Sequence, residues 1–196
     1  MPDWILQVSA LEWVAVIAGL AYVILAAREN IWCWPAAFVG TSASMLLLWD
    51  VSLLMDAALN LFYLIMAIYG YWQWRYGGLD QTQKAITTWR KSTHIKVFIA
   101  IAVLTLCFGY LLDQYTDAAW SYVDSATTWS AVIVTYMVTQ KVLENWLYWI
   151  VIDAVSVWIY IERGIYLYAI LFALYTIIAI LGYLAWRRSF QAAHQS

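Results

Sequence analysis

The sequence predicts an all-α integral membrane protein with seven transmembrane helices, and three observations support this class. Hydrophobic residues make up 65% of the 196-residue chain and charged residues only 11%, whereas about a quarter of the residues in a soluble domain are charged. The few charges separate uncharged runs long enough to cross a bilayer core of about 30 Å as helices. These runs are apolar on every side, as in Ile177–Leu181, and lack the period-2 alternation of a transmembrane barrel.

The Lys and Arg residues predict the orientation of the spans. With the N-terminus outside, nine of the ten basic residues fall in cytoplasmic segments, and only Arg163 lies outside. Cytoplasmic loops of membrane proteins carry this excess of positive charge. The N-terminus has no basic region, so we expect the first apolar stretch to be a retained helix and not a cleaved signal. The seven spans are predicted near residues 7–27, 31–49, 53–75, 95–112, 120–139, 142–161 and 165–187.

The two halves of the chain contain similar segments. Residues 29–34 resemble residues 144–149, each with Glu-Asn followed by Trp, at an offset of 115 positions. Residues 63–75 resemble residues 175–187, with Tyr, Gly-Tyr and Trp-Arg at the same spacing, at an offset of 112. Each half is therefore predicted to be a unit of three helices.

The fourth predicted helix has no counterpart and would link the two units. One linking helix gives both triplets the same orientation, a SWEET-like 3+1+3 arrangement of parallel repeats that places a substrate site near the midplane between the bundles. The predicted divisions are a first bundle at 7–75, a basic loop with the linker helix at 76–118, a second bundle at 119–187 and a tail at 188–196.

The sixth predicted helix carries the main candidate site. Asp153 is flanked by apolar residues, and a carboxylate inside a bilayer is costly unless it faces a cavity or a partner. Trp146, Trp149 and Asp153 follow an i, i+3, i+7 spacing and share one helix face. Such a face suits a flat organic cation through charge pairing and cation–π attraction, although a purely structural carboxylate is the alternative. The 115 offset aligns Asp153 with Phe38, so the acid has no counterpart in the first half.

Asn60 and Tyr63 share one face of the third predicted helix, at i and i+3. A buried amide in a membrane needs a hydrogen-bonding partner, which is either the substrate or a neighbouring helix.

Several chemistries have no signature in the sequence. The chain contains no Gly-rich phosphate loop, no HExxH and no CxxC, and Cys33 and Cys107 both lie in apolar runs. We therefore expect no cofactor, no metal and no ATP-driven pump, and facilitated diffusion is the simplest mechanism. A membrane-embedded enzyme is disfavoured because Asp153 has no ionisable neighbour at helical spacing.

The sequence resembles the Pnu family of bacterial vitamin transporters, which includes transporters of nicotinamide riboside (PnuC) and of thiamine (PnuT). The resemblance rests on Asp124-Ser125, on Lys141 followed by Glu-Asn-Trp-Leu-Tyr-Trp at 144–149, and on the aromatic spacings at 63–74 and 175–186. It spans residues 10–188.

This resemblance implies a three-plus-one-plus-three helix bundle in the bacterial inner membrane, usually a homotrimer. An unphosphorylated vitamin equilibrates through the bundle, and a cytoplasmic vitamin kinase traps it. The expected partners are thus a small cationic aromatic vitamin and the lipid bilayer, and no nucleic acid. The family's substrate contacts map onto Trp146, Trp149 and Asp153 in helix six, and onto Asn60 and Tyr63 in helix three.

The expected substrate is thiamine, with nicotinamide riboside as the alternative. Nicotinamide riboside members tend to have Asn at the position of Asp153 and another Asn in the last helix, where this chain has Leu181. The aminopyrimidine of thiamine can also bond a carboxylate. Riboflavin and deoxynucleosides are minor alternatives, and a SWEET-like sugar carrier is a more distant one.

Overall fold

A computed structural model describes residues 10–50, 54–79, 82–116 and 120–195, and within these ranges the chain forms seven α-helices. The helical class and the number of helices are as predicted. The helices are α1 (Ala10–Ala27), α2 (Cys33–Asp50), α3 (Leu54–Tyr76), α4 (Lys91–Tyr115), α5 (Ser121–Thr139), α6 (Asn145–Glu162) and α7 (Tyr166–Ala193).

Two helices extend further at their charged ends than predicted. α4 begins at Lys91 rather than near residue 95, and α7 continues to Ala193 rather than ending near residue 187. Charges mark where a helix leaves the hydrocarbon, but Lys and Arg are good helix formers, so they do not end the helix itself. The predicted start near residue 7 lies outside the described residues.

Among the described residues, three helices, α1, α4 and α7, are both long enough and apolar enough to cross a membrane. α4 is the most exposed of them, with large apolar side chains such as Phe98, Val103 and Leu106 more than half exposed. An apolar helix that is hardly buried by its own chain fits a hydrocarbon environment, where its backbone groups are satisfied internally.

The chain divides into two compact units, residues 1–85 and residues 86–196. In the first unit, α2 packs against both α1 and α3. In the second unit, the packing follows chain order, α4 on α5, α5 on α6 and α6 on α7. α4 thus packs within the second unit, and its separate role as a linker stays a prediction.

Three of the helices end in the same type of turn. After α1, the N–H of Glu29 bonds to the carbonyl of Ala26, and the next N–H reaches back five residues to Leu25. The same pair of bonds follows α5 at Lys141 and α6 at Gly164. This is the Schellman motif, in which the residue after the helix adopts the left-handed conformation. Accordingly φ is 55° at Glu29, 50° at Lys141 and 71° at Gly164.

A pair of tryptophans joins α2 to α3 and a second pair joins α6 to α7. The rings of Trp34 and Trp74 meet edge to face with centroids 5.4 Å apart, and those of Trp146 and Trp186 do so at 5.5 Å. In each pair the first tryptophan is buried and its ring lies against a glycine of the other helix. Trp34 lies against Gly70 of α3, and Trp146 lies against Gly182 of α7.

These contacts correct the register of the internal repeat. The tryptophan pairs, their glycines and the left-handed residues Glu29 and Lys141 all recur at one offset of 112 positions. The 115 offset inferred from the Glu-Asn segments is therefore wrong by three residues, and Trp34 corresponds to Trp146 and not to Trp149. At the corrected offset Asp153 is aligned with Thr41 rather than with Phe38.

Candidate functional site

The second unit buries a carboxylate on α6. Asp153 is 4% exposed, and the residues around it in the helix are apolar except for Ser156, whose hydroxyl donates to the carbonyl of Ile152 at 2.9 Å. Tyr175 of α7 lies within electrostatic range of the Asp153 carboxylate. α6 and α7 therefore place an acid and a phenol within electrostatic range of one another inside the second unit. Burial in this setting favours a cationic or hydrogen-bonding partner for the carboxylate.

Trp149 lies one turn before Asp153 on the same side of α6. Its ring is half-buried and packs against a cluster of buried residues from α5, the following turn and α6. The cluster consists of Val134, Met137, Val142 and Ile152. This packing holds the indole in one orientation while leaving part of it accessible, which suits a stacking surface.

Trp146 is enclosed more completely. It is buried between Gly182 and the ring of Trp186, and its Nε1 has no hydrogen-bonding partner among the described residues. The structure therefore places Trp146 in the contact between α6 and α7, with a packing function that the helical spacing did not indicate. A contact between Trp146 and substrate stays a prediction.

Asn60 and Tyr63 lie half-buried on α3 of the first unit. The Tyr63 ring contacts that of Phe62 at 5.6 Å, and its hydroxyl is within electrostatic range of Tyr22. That these residues face the same substrate as Asp153 stays a prediction.

Sequence reasoning missed several buried polar groups of the second unit. Asn145 is fully buried, and its side-chain N–H donates to the Val142 carbonyl at 2.6 Å while its Oδ1 has no partner among the described residues. Ser125 of α5 is also buried, and its hydroxyl has no partner there either. Orphaned buried polar atoms are rare and mark sites of water, substrate or strain. Asn145 was visible as part of the Glu-Asn-Trp motif, and Tyr175 was visible as the repeat counterpart of Tyr63.

In the described part of the chain, no three His, Cys, Asp or Glu side chains lie close enough together to hold a metal ion. The chemistry that the second unit offers is thus one buried acid, one phenol, one half-buried indole and orphaned amide and hydroxyl groups. These groups can bind a polar aromatic molecule.

The chain is similar to known transporters over nearly its whole length. It is 22% identical over 208 aligned residues to the nicotinamide riboside transporter PnuC of Escherichia coli (strain K12), covering 93% of this chain and 87% of the relative. It is 24% identical to the riboflavin/roseoflavin transporter RibM of Streptomyces davaonensis, covering 89% and 83% of the two chains. The fold is similar to the crystal structure of the vitamin B3 transporter PnuC, with a TM-score of 0.72, 19% identity and coverage of 93% of this chain and 82% of that one.

The sequence profile of one protein family also matches residues 9–188, which include every candidate site residue. The chain therefore belongs to the nicotinamide mononucleotide transporter family.

Proposed function

We propose that this protein is a membrane transporter that lets nicotinamide riboside diffuse across the bacterial inner membrane. Family membership and the names of the relatives support a transporter of a vitamin rather than an enzyme. The thiamine preference finds no support among those relatives, whose names give nicotinamide riboside and riboflavin. Nicotinamide riboside, the alternative substrate, is accordingly the better supported of the two.

The observation that carries the proposal is the buried Asp153 with Tyr175 within electrostatic range of it. Nicotinamide riboside combines a cationic aromatic ring with a ribose rich in hydroxyl groups. A carboxylate can pair with the ring's charge, a half-exposed indole such as Trp149 can stack on it, and a phenol can bond a hydroxyl. Riboflavin is flat but neutral, so it makes less use of a buried acid.

Transport would follow the arrangement inferred from the repeat, two parallel three-helix bundles joined by one helix, with N-terminus outside and C-terminus in the cytoplasm. The duplicated tryptophan pairs support the two-bundle part of this arrangement. The same proposal includes uptake without an energy source, trapping of the vitamin by a cytoplasmic kinase, and assembly as a homotrimer. Because uptake needs no energy source, a protonophore should not reduce uptake into liposomes.

The test is uptake of labelled nicotinamide riboside into liposomes that contain the purified protein. We expect Asp153→Asn to lower uptake at least about tenfold, because a hydrogen bond to a charged group contributes about 1.5–3 kcal/mol. Asp113→Asn is the matched control, since the Asp113 carboxylate is exposed near the end of α4, and it should leave uptake unchanged.

Competition decides the substrate in the same assay. Unlabelled nicotinamide riboside should compete, whereas thiamine, riboflavin and sucrose should not. Stronger competition by thiamine than by unlabelled nicotinamide riboside would restore the thiamine assignment, and normal uptake by Asp153→Asn would remove Asp153 from the site.

A further inference from the structure

The second unit contains a cleft between α4 and α6, with α5 at its floor. Its volume is about 430 Å³. The walls are mainly apolar, with Phe98 and Ile101 from α4 facing Leu147, Val151 and Ile152 from α6. None of the candidate substrate residues Asp153, Trp149 or Trp146 lines it, so the cleft is separate from the proposed transport site.

One end of the cleft is closed by polar side chains. His94 is hydrogen bonded through Nδ1 to the Tyr148 hydroxyl at 2.9 Å, and its Nε2 lies 4.0 Å from a carboxylate oxygen of Glu144. The other Glu144 oxygen accepts the backbone N–H of Trp89 at 3.3 Å. The three side chains thus engage one another and form a polar rim where α4 begins.

The rest of the cleft opens to the exterior of the unit. Phe98 is 60% exposed and Val151 is 62% exposed, although both side chains are entirely apolar. α4 is one of the helices able to cross the membrane, and Ile101 is ten residues past Lys91. At 1.5 Å per residue, Ile101 therefore lies about 15 Å along the helix from Lys91, which is about the depth of one leaflet.

Two basic residues lie just before the polar rim, where α4 begins. Arg90 and Lys91 are exposed, and neither forms an ion pair with any described residue. Lys91 lies three residues before His94 and so occupies the cleft side of α4. The Glu144 carboxylate at this end of the cleft already contacts His94 and the Trp89 N–H.

We propose that this cleft binds one acyl chain of an anionic phospholipid, whose phosphate lies against Arg90 and Lys91. Unpaired basic residues beside a groove between transmembrane helices are the arrangement that selects anionic head groups, and the apolar walls match an acyl chain. A vitamin with a ribose or other polar group would leave its hydroxyls unpaired there.

The proposal is tested by native mass spectrometry of the full-length protein after addition of phosphatidylglycerol or phosphatidylcholine. We expect one tightly retained phosphatidylglycerol per chain and less phosphatidylcholine. The double variant Arg90→Gln with Lys91→Gln should weaken phosphatidylglycerol retention by about tenfold or more, because each basic residue near the head group contributes about 1 kcal/mol. Val151→Trp should fill the cleft and lower the retention of both lipids.

Two controls match these variants. Lys96→Gln removes a charge from the opposite side of α4, and Ile99→Trp adds an exposed indole to α4 outside the cleft. Both should bind phosphatidylglycerol as the unaltered protein does. Equal retention in all variants would overturn the proposal.

Two further results would also overturn it. Loss of an oligomer by Val151→Trp with lipid retention unchanged would assign the cleft to a second copy. Displacement of phosphatidylglycerol by nicotinamide riboside would assign it to the transported vitamin.

Discussion

Trp146 and Trp186 pack edge to face, with ring centroids 5.5 Å apart and ring planes at 86°. Trp34 and Trp74 have nearly the same geometry, at 5.4 Å and 88°. Edge-to-face packing places the positive edge of one ring against the negative face of the other. The same contact between two helices thus occurs once in each unit. In both units a glycine of the second helix lies opposite the tryptophan ring of the first.

The two glycines differ in how much space they have, which gives a first prediction. A methyl group at Gly70 would overlap the ring of Trp34, whereas one at Gly182 would lie 3.0 Å from the ring of Trp146. Overpacking of this kind costs about 1–3 kcal/mol, against a gain of about 1 kcal/mol in helix propensity from Gly to Ala. Gly70→Ala should therefore lower the melting temperature of the purified protein, and Gly182→Ala should change it little.

The double variant Gly70→Ala with Trp34→Phe checks the cause. A smaller ring makes room for the methyl group, so the two changes together should cost less than their separate costs added. Simple additivity would show that the overlap is not the reason.

A second prediction concerns how much the tryptophan pair in the second unit contributes to the stability of the folded protein. Trp186 is fully buried, and removal of a buried indole typically costs about 3–5 kcal/mol. Trp186→Ala should greatly reduce the amount of folded protein recovered in detergent, as measured by size-exclusion chromatography. Trp72→Ala is the control, because that ring is 56% exposed and its removal should be tolerated.

The sequence was sufficient for the helices but not for the register of the repeat. Apolar runs bounded by charges predict helices, and the described residues contain a helix at every predicted span. Three of these helices are long enough and apolar enough to cross a membrane. The register was obscured by the abundance of tryptophan, since both Trp146 and Trp149 follow Glu144-Asn145 and either can be aligned with Trp34. Only the ring geometry and the left-handed residues decide between them.

The candidate site was predictable in part for a similar reason. A charged residue inside an apolar run is conspicuous, so Asp153 was expected to be special, and it is buried. Helical spacing places Trp146 on the same face but does not say that Gly182 and Trp186 enclose it. The proximity of Tyr175 to Asp153 depends on how α7 packs on α6, which a linear pattern does not contain.

Tyr175 gives a third prediction. If its hydroxyl supports substrate binding beside Asp153, Tyr175→Phe should raise the KM for nicotinamide riboside uptake about two- to tenfold, the effect of losing one hydrogen bond of about 0.5–1.5 kcal/mol. Tyr168→Phe on the same helix is the control, because Tyr168 is half exposed and its ring contacts that of Tyr160. An unchanged KM for Tyr175→Phe would limit the phenol to packing.

The turn between α6 and α7 provides the last prediction. Gly164 has φ of 71° and closes a Schellman motif, with its own N–H bonded to Ile161 and the next N–H bonded to Tyr160. No heavy atom lies within 4 Å of where a Cβ would be, so any cost of a side chain there comes from the backbone alone. Left-handed backbone costs most L-residues about 1–2 kcal/mol but is tolerated better by Asn. In thermal unfolding, Gly164→Ala should therefore lower the melting temperature more than Gly164→Asn does. Equal melting temperatures for the unaltered protein and both variants would mean that the left-handed backbone at Gly164 does not affect the stability of the turn between these helices.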